Sequence, residues 1–330
     1  MRITVLSDGG WGTALAMNQM SNGHDVTIWG PFPDYLDEMR RTRRNPRFLA
    51  GVELPAGLRF EADMGKAVEG RDMLILATPT QYLRGVLAKL APVFDRERHV
   101  LVDVAKGIEI DSWLRISEMV ESVLGETRYV VLSGPSHAEE VSRRVPTAVV
   151  AASADLALAE LVQQSFINDN FRVYTGTDVV GVELGGALKN VMAIAAGIID
   201  GMKLGDNPKA ALMTRGISEM GRLGELLGGK AQTFSGLSGI GDLIVTCTSG
   251  HSRNRHVGEE LGRGKKLPEI LASMGMVVAE GVTTAKGAHA LARRVRAETP
   301  IIDEIYAVLH EGRNVPDAIR NLMSRSAKPE

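Results

Sequence analysis

Three groups of residues in this chain have the types and spacing to do chemistry. The first is Lys189, which with Asn190 interrupts the apolar and glycine-rich run Leu184 to Ile199, LGGALKNVMAIAAGII. A helix of this composition has no polar face, so it should be buried on nearly all sides. Lysine is rarely buried without a partner, because removing water from an ammonium group is costly. Lys189 is therefore either half of a structural ion pair or a proton donor and acceptor. The second group is Asp242, the one acid in the stretch Gly236 to Thr248, GLSGIGDLIVTCT. A buried acid needs a counter-charge, and Lys189 is the natural one; the alternative is an aspartate that caps a turn. The third is Ser252-Arg253-Asn254, which follows Gly250 and opens a helical pattern. A serine cap followed by arginine leaves backbone N–H groups and a guanidinium facing one anion, an arrangement suited to phosphate. Its alternative is an ordinary cap with solvated arginines.

The elements that must position these residues begin at the N-terminus. Ile3 to Leu6 reads as a strand, Thr13 to Met20 as a helix ended by Asn22-Gly23, and Asp25 to Trp29 as a second strand. Glycines at a strand-to-helix turn inside so short a βαβ unit give a credible dinucleotide fingerprint, since they admit a pyrophosphate to the helix start. In the G-x-G-x-x-G register Gly9 and Gly12 fill the second and third places, and Ser7 takes the first. Further strands are expected at Met73 to Ala77, His99 to Val104, Tyr129 to Leu132, Thr147 to Ala152 and Arg172 to Tyr174. Unalternated apolar strands between helical stretches predict a parallel sheet covered on both faces, with ligands at the carboxyl ends of its strands. The turns Thr78-Pro79, Ala105-Lys106-Gly107 and Ser133-Gly134-Pro135-Ser136 fall at those ends.

Beyond Asp178 helical periodicity replaces the strand signals. The predicted fold is α/β: a doubly wound parallel sheet over residues 1–177, followed by an all-α domain over 178–330, with a polar tail from Ser324 onward that should fray. The length of 330 residues suits two domains, and 44% apolar with 24% charged residues is the composition of a globular protein. A net charge of −2 gives no electrostatic reason to expect nucleic acid or an anionic membrane surface. The single cysteine, Cys247, excludes an intrachain disulfide and leaves no cluster for a zinc site. No signal-peptide pattern and no uncharged apolar run of spanning length are seen, so a cytoplasmic protein without a membrane span is expected.

Taken together these motifs resemble the bacterial glycerol-3-phosphate dehydrogenases that use NAD or NADP, over essentially the whole chain. The resemblance rests on Gly9-Gly10-Trp11-Gly12-Thr13-Ala14-Leu15-Ala16, Lys106-Gly107, Ser133-Gly134-Pro135-Ser136, Leu184 to Asn190, Gly236 to Cys247, Ser252-Arg253-Asn254 and Glu280-Gly281. It implies a Rossmann-type domain and a helical substrate domain. It implies that Lys189 takes the proton when glycerol 3-phosphate is oxidised and gives it when dihydroxyacetone phosphate is reduced. Lys106 and Asp242 would join it in catalysis. Lys106, Gly134, Ser136, Lys189, Asp242, Ser252, Arg253 and Asn254 would line the substrate site. Gly9, Gly10, Trp11, Gly12, Lys106, Ala138, Arg253, Val278 and Glu280 would touch the cofactor. The cellular role implied is supply of glycerol 3-phosphate for phospholipid synthesis, by reduction with NADPH.

Three places depart from the family pattern. Ser7 stands for the first glycine, and His137 stands where phenylalanine is common, so it is expected to pack as an aromatic ring. Trp29-Gly30-Pro31-Phe32-Pro33 has neither the acid that holds the ribose diol of NAD nor the basic residue often found there. Arg40, Arg41, Arg43, Arg44 and Arg47 lie nearby and tilt the expectation towards NADPH, unless they form a solvated helix face. The competing readings are a related dehydrogenase acting on another hydroxy acid and a catalytically silent nucleotide-binding protein. Apolar helices in the second half make a homodimer reasonable.

Overall fold

The computed structural model describes residues 1–276 and 278–327, so the end of the polar tail, 328–330, lies outside the described residues. The chain divides into two units. One holds Met1–Lys106 with Leu114–Glu183, the other Gly107–Trp113 with Leu184–Glu330.

The first unit is built on ten strands: β1 (Arg2–Leu6), β2 (Asp25–Trp29), β3 (Arg44–Asn45), β4 (Leu49–Glu53), β5 (Arg59–Glu61), β6 (Met73–Leu76), β7 (Val100–Asp103), β8 (Arg128–Ser133), β9 (Thr147–Ala152) and β10 (Phe171–Gly176). Eight of them form one sheet in the order β10-β9-β8-β7-β6-β1-β2-β5, while β3 and β4 pair as a separate hairpin. Winding reverses between β1 and β6, the switch point at which such sheets bind ligands. The unalternated apolar runs have a direct cause: successive side chains enter opposite, equally apolar layers. Ile3, Val5, Ile75, Val102 and Val130 join one buried cluster, and Leu6, Leu74, Leu76 and Leu101 the other. One pairing departs from the expected parallel sheet, since β8 and β9 run antiparallel. Their connection carries only the four-residue helix Ala138–Val141, too short to lie across the sheet and return the chain in the same sense.

Helix α1 (Gly10–Ser21) leaves the first turn, and α2 (Pro33–Thr42) follows β2. The second unit is helical, and its main helices are α3 (Val179–Gly201), α4 (Asp206–Leu226), α5 (Asp242–Thr248), α6 (Arg253–Gly262), α7 (Glu280–Val295) and α8 (Pro300–His310). By packing, one unit ends at Glu183 and the other resumes at Leu184, inside α3. The helix runs on through this point, and its first turn belongs to the sheet unit because Val182 packs with Val131 and Ala152. Gly107–Trp113 joins the helical unit for a similar reason: Ile108 and Trp113 pack against Gly287 of α7. An apolar window of α3 has a mean hydropathy of 1.5, enough for a membrane span, yet it is wholly buried inside the protein.

Glycines set the approach of α3 to α6. A Cβ on Gly197 would overlap the Arg255 carbonyl, and one on Gly258 the Ile194 carbonyl. One on Gly262 would lie 2.5 Å from the Ile198 carbonyl. Small residues four apart on both helices bring the backbones into contact, and the two run in the same sense. Gly258→Ala should therefore force the helices apart at a cost of about 1–3 kcal/mol. Thermal unfolding would register a drop of several degrees, and an unchanged melting temperature would refute the close crossing.

Candidate functional site

In the helical unit the close crossing aligns the middle of α3 with the start of α6. Asn254 donates to Asn190 Oδ1 at 2.9 Å and accepts from the Gly281 N–H at 2.9 Å, which draws the start of α7 to the same place. A Cβ on Gly281 would stand 2.6 Å from the Asn190 carbonyl, so only glycine allows this approach. Asp242 arrives from another direction. The segment Leu237–Gly241 closes a π-turn, with the Gly241 N–H bonded to the Gly236 carbonyl at 3.2 Å, before α5 begins at Asp242. Such turns recur at functional sites because they re-aim the helix that follows. Gly185 of α3 packs against this turn, where an added Cβ would lie 2.6 Å from the Ser238 carbonyl.

The result is a buried cluster around one ammonium group. Lys189, 7% exposed, donates to Asp242 Oδ1 at 2.9 Å and to Thr246 Oγ1 at 2.8 Å. Thr246 in turn donates to the Asp242 carbonyl at 2.6 Å, which fixes its hydroxyl one turn along α5. An ammonium has three N–H bonds, so two are directed within the cluster and one is left to address a ligand. Thr246 carried no signal in the sequence beyond its place one helical turn after Asp242. Neighbouring Cys247 is no nucleophile, since burial pushes its thiol up to about 12 despite the pull of Lys189.

Ser252 caps α6, its hydroxyl accepting from the Arg255 N–H at 3.2 Å. That leaves the N–H groups of Arg253 and Asn254 outside the cap, with the Arg253 side chain exposed. Arg253 Nη1 donates to the Val278 carbonyl at 3.3 Å. The structure thus gathers Lys189, Asp242, Ser252, Arg253, Asn254, Val278 and Glu280 on adjoining helices of one unit. Asn254 uses one N–H and one lone pair of its amide on Asn190 and Gly281, which positions the helix starts and leaves a second N–H and a second lone pair on the same side chain.

The remaining expected residues belong to the sheet unit. Lys106 donates to the Gly134 carbonyl at 2.9 Å, and the Ser136 hydroxyl donates to the same oxygen at 2.8 Å. Gly134 has φ +141, and a Cβ there would stand 3.0 Å from Val149 Cα, so glycine is required. At the first turn, Gly9, Gly10, Trp11 and Gly12 open α1 with no side-chain cap. A Cβ on Gly12 would lie 3.0 to 3.2 Å from Ser7, Val5 and Ala77, the close helix-to-strand packing required of the third fingerprint glycine. Ala138 lies beside Gly10. Uncapped N–H groups, a glycine turn and the buried Trp11 Nε1, which has no partner among the described residues, fit a dinucleotide pyrophosphate. His137 is half-buried at the start of the helix Ala138–Val141.

Ser7 stays outside the left-handed region, and its hydroxyl accepts from the Gly9 N–H at 3.0 Å. The serine therefore closes the turn with its own side chain. Ser7→Gly should change cofactor affinity by less than about tenfold, or 1.4 kcal/mol. Fluorescence titration with NADH and NADPH would check this, and a larger change would mean that Ser7 itself shapes the pyrophosphate site.

Of the arginines near α2, Arg40 and Arg43 hold backbone carbonyls, while Arg43 Nε and Nη2 are buried with no hydrogen-bond partner among the described residues. Arg40 pairs with Asp37 and donates to the Phe60 carbonyl, and Arg43 donates to the Leu58 carbonyl beside the Phe60 ring. Arg47 stacks over Tyr35 at 4.1 Å.

Comparison with known proteins accords with this geometry. Residues 2–159 match the family described as NAD-dependent glycerol-3-phosphate dehydrogenase N-terminus, and residues 178–320 match the corresponding C-terminus. A protein of Bacillus pumilus named glycerol-3-phosphate dehydrogenase [NAD(P)+] is 51% identical over 98% of this chain and 94% of its own length. One of the same name from Geobacter sulfurreducens is 51% identical over 100% of this chain and 98% of its own. The crystal structure of glycerol-3-phosphate dehydrogenase from Coxiella burnetii superposes with a TM-score of 0.94, at 37% identity, covering 98% of this chain and 99% of that one. A Rossmann-type sheet followed by a helical unit centred on a paired lysine, matched over its whole length by these relatives, belongs to the NAD(P)-dependent glycerol-3-phosphate dehydrogenase family.

Proposed function

We propose that this chain interconverts sn-glycerol 3-phosphate and dihydroxyacetone phosphate. The observation that carries the reading is the buried Lys189 ammonium, oriented by Asp242 and Thr246 on helices adjoining the start of α6. NAD(H) or NADP(H), when held at the turn from Gly9 to Gly12, would supply the hydride-transfer chemistry of this reaction. Lys189 Nζ gives its proton to the carbonyl oxygen in reduction and receives the hydroxyl proton in oxidation. Asp242 and Thr246 hold Nζ in place, and Asp242 keeps the protonated form compensated after burial. Arg253 and the first N–H groups of α6 hold the substrate phosphate. In the sheet unit, Gly9 to Gly12 and Ala138 hold the dinucleotide. In the same unit Lys106 and Ser136 are both tied to the Gly134 carbonyl, beyond the end of β8.

The same reading places the protein in the cytoplasm, acting mainly in the reducing direction to feed phospholipid synthesis. It has a direct test, the fall in nicotinamide absorbance on adding dihydroxyacetone phosphate to enzyme and NADH or NADPH. Turnover of a phosphate-free keto acid in its place would revive the hydroxy-acid alternative, and binding without turnover would indicate a silent nucleotide binder.

A further inference from the structure

We propose that Asp8 reads the adenosine ribose of the dinucleotide, its carboxylate accepting from the 2′-hydroxyl of NAD(H) and repelling the 2′-phosphate of NADP(H). The proposal rests on the reading of the turn from Ser7 to Gly12 as the dinucleotide site. In folds of this kind the ribose diol is held by an acid about twenty residues past the glycine turn, at the end of the second strand. That place here is Gly30, which has no side chain, and no acid lies between Trp29 and Pro33. The structure puts a carboxyl there by another route. A Cβ on Gly30 would lie 2.8 Å from Asp8 Oδ2 and 3.1 Å from Asp8 Cβ. The Asp8 side chain thus takes up the space into which a side chain from Gly30 would grow. It reaches that space from β1, whose Leu6 is paired with Trp29 of β2.

Asp8 is not held there by a salt bridge or a helix cap. It is 7% exposed, and its Oδ2 has no hydrogen-bond partner among the described residues. A buried carboxylate oxygen without a donor is costly, and burial accordingly pushes the Asp8 carboxyl above the usual carboxylate range. Its own backbone N–H and the charge of Arg47 pull the other way. The main chain beneath it is anchored: Asn45 donates to the Asp8 carbonyl at 2.8 Å and accepts from the Tyr35 hydroxyl at 2.6 Å. The acceptor is therefore placed by the fold, and a ribose hydroxyl is the donor that suits it. Arg47, exposed and stacked on Tyr35, is the opposing charge, which favours a 2′-phosphate. Asp8 and Arg47 set the preference between the two cofactors in opposite directions.

Equilibrium fluorescence titrations with NADH and NADPH test this without catalysis. Asp8→Asn should move the ratio of the two dissociation constants about tenfold towards NADPH, as expected for loss of one charge-assisted hydrogen bond and one repulsion. Arg47→Ala should move it towards NADH. Wild-type protein should bind an NADH analogue lacking the adenosine 2′-hydroxyl about tenfold more weakly than NADH, a comparison that needs no variant to fold. The proposal is overturned if Asp8→Asn weakens both cofactors equally, if the ratio stays within about threefold, or if the analogue binds as tightly as NADH. Wild-type protein that bound neither cofactor would instead overturn the dinucleotide site itself.

Discussion

Lys189→Met should lower turnover of dihydroxyacetone phosphate by about 10²–10⁴-fold, the range expected when a general acid and base is removed. Methionine keeps the apolar stem and most of the volume, so α3 should remain packed. The substitution also takes the ammonium away from Asp242 Oδ1, whose residue is 1% exposed. Removing one partner of a buried pair is strongly destabilising, so the melting temperature should fall. Binding of NADH and NADPH should stay within a few-fold, because the fingerprint turn belongs to the other unit. These three readouts separate catalysis from support. If the variant keeps more than a tenth of wild-type turnover, Lys189 is a structural cation and the proton comes from another group. If turnover and cofactor affinity collapse together, the effect is on folding.

Part of this arrangement was legible in the sequence, and the reason differs from element to element. The central strands could be read because each buries both faces, leaving runs such as Met73-Leu74-Ile75-Leu76 with no polar residue. Helix α3 could be read because a helix with no polar face has to be buried, and a lysine within it needs a counter-charge. Asp242 was the one acid in the apolar and glycine-rich stretch Gly236 to Thr248. Features that depend on a second chain segment could not be read. Gly197 and Gly258 look like ordinary helix-weakening glycines until the two helices meet. The π-turn before Asp242 has no periodic signature, and Thr246 owes its role to a distance of 2.8 Å rather than to its type. The return of Gly107–Trp113 to the helical unit rests on the packing of Ile108 against Gly287, a contact with no local signal. Composition likewise does not reveal that, among the arginines from Arg40 to Arg47, the backbone carbonyls of Phe60 and Leu58 hold Arg40 and Arg43.

Arg253→Ala should weaken dihydroxyacetone phosphate by the ~1.5–3 kcal/mol of a charge-assisted hydrogen bond, or about 10–150-fold in KM. The position explains why the loss should fall on the phosphate. Arg253 is the first residue of α6, next to the serine cap, where the helix dipole and the N–H groups of Arg253 and Asn254 already favour an anion. Its side chain is exposed, and its bond to the Val278 carbonyl is long at 3.3 Å, so the guanidinium can turn to a ligand without breaking a buried contact. For the same reason the substitution should cost little stability, since surface changes are usually within about 0.5 kcal/mol. An exposed cation is also screened, so raising ionic strength should weaken phosphate substrate in wild type and much less in Arg253→Ala. Dihydroxyacetone without its phosphate should be a very poor substrate for both proteins, and equally so. Direct titration with NADPH separates a contribution to cofactor, which would shift its dissociation constant, from one to substrate, which would not. Equal wild-type activity on dihydroxyacetone and its phosphate would remove the phosphate site from the start of α6, and with it the observation that separates this substrate from an unphosphorylated hydroxy acid.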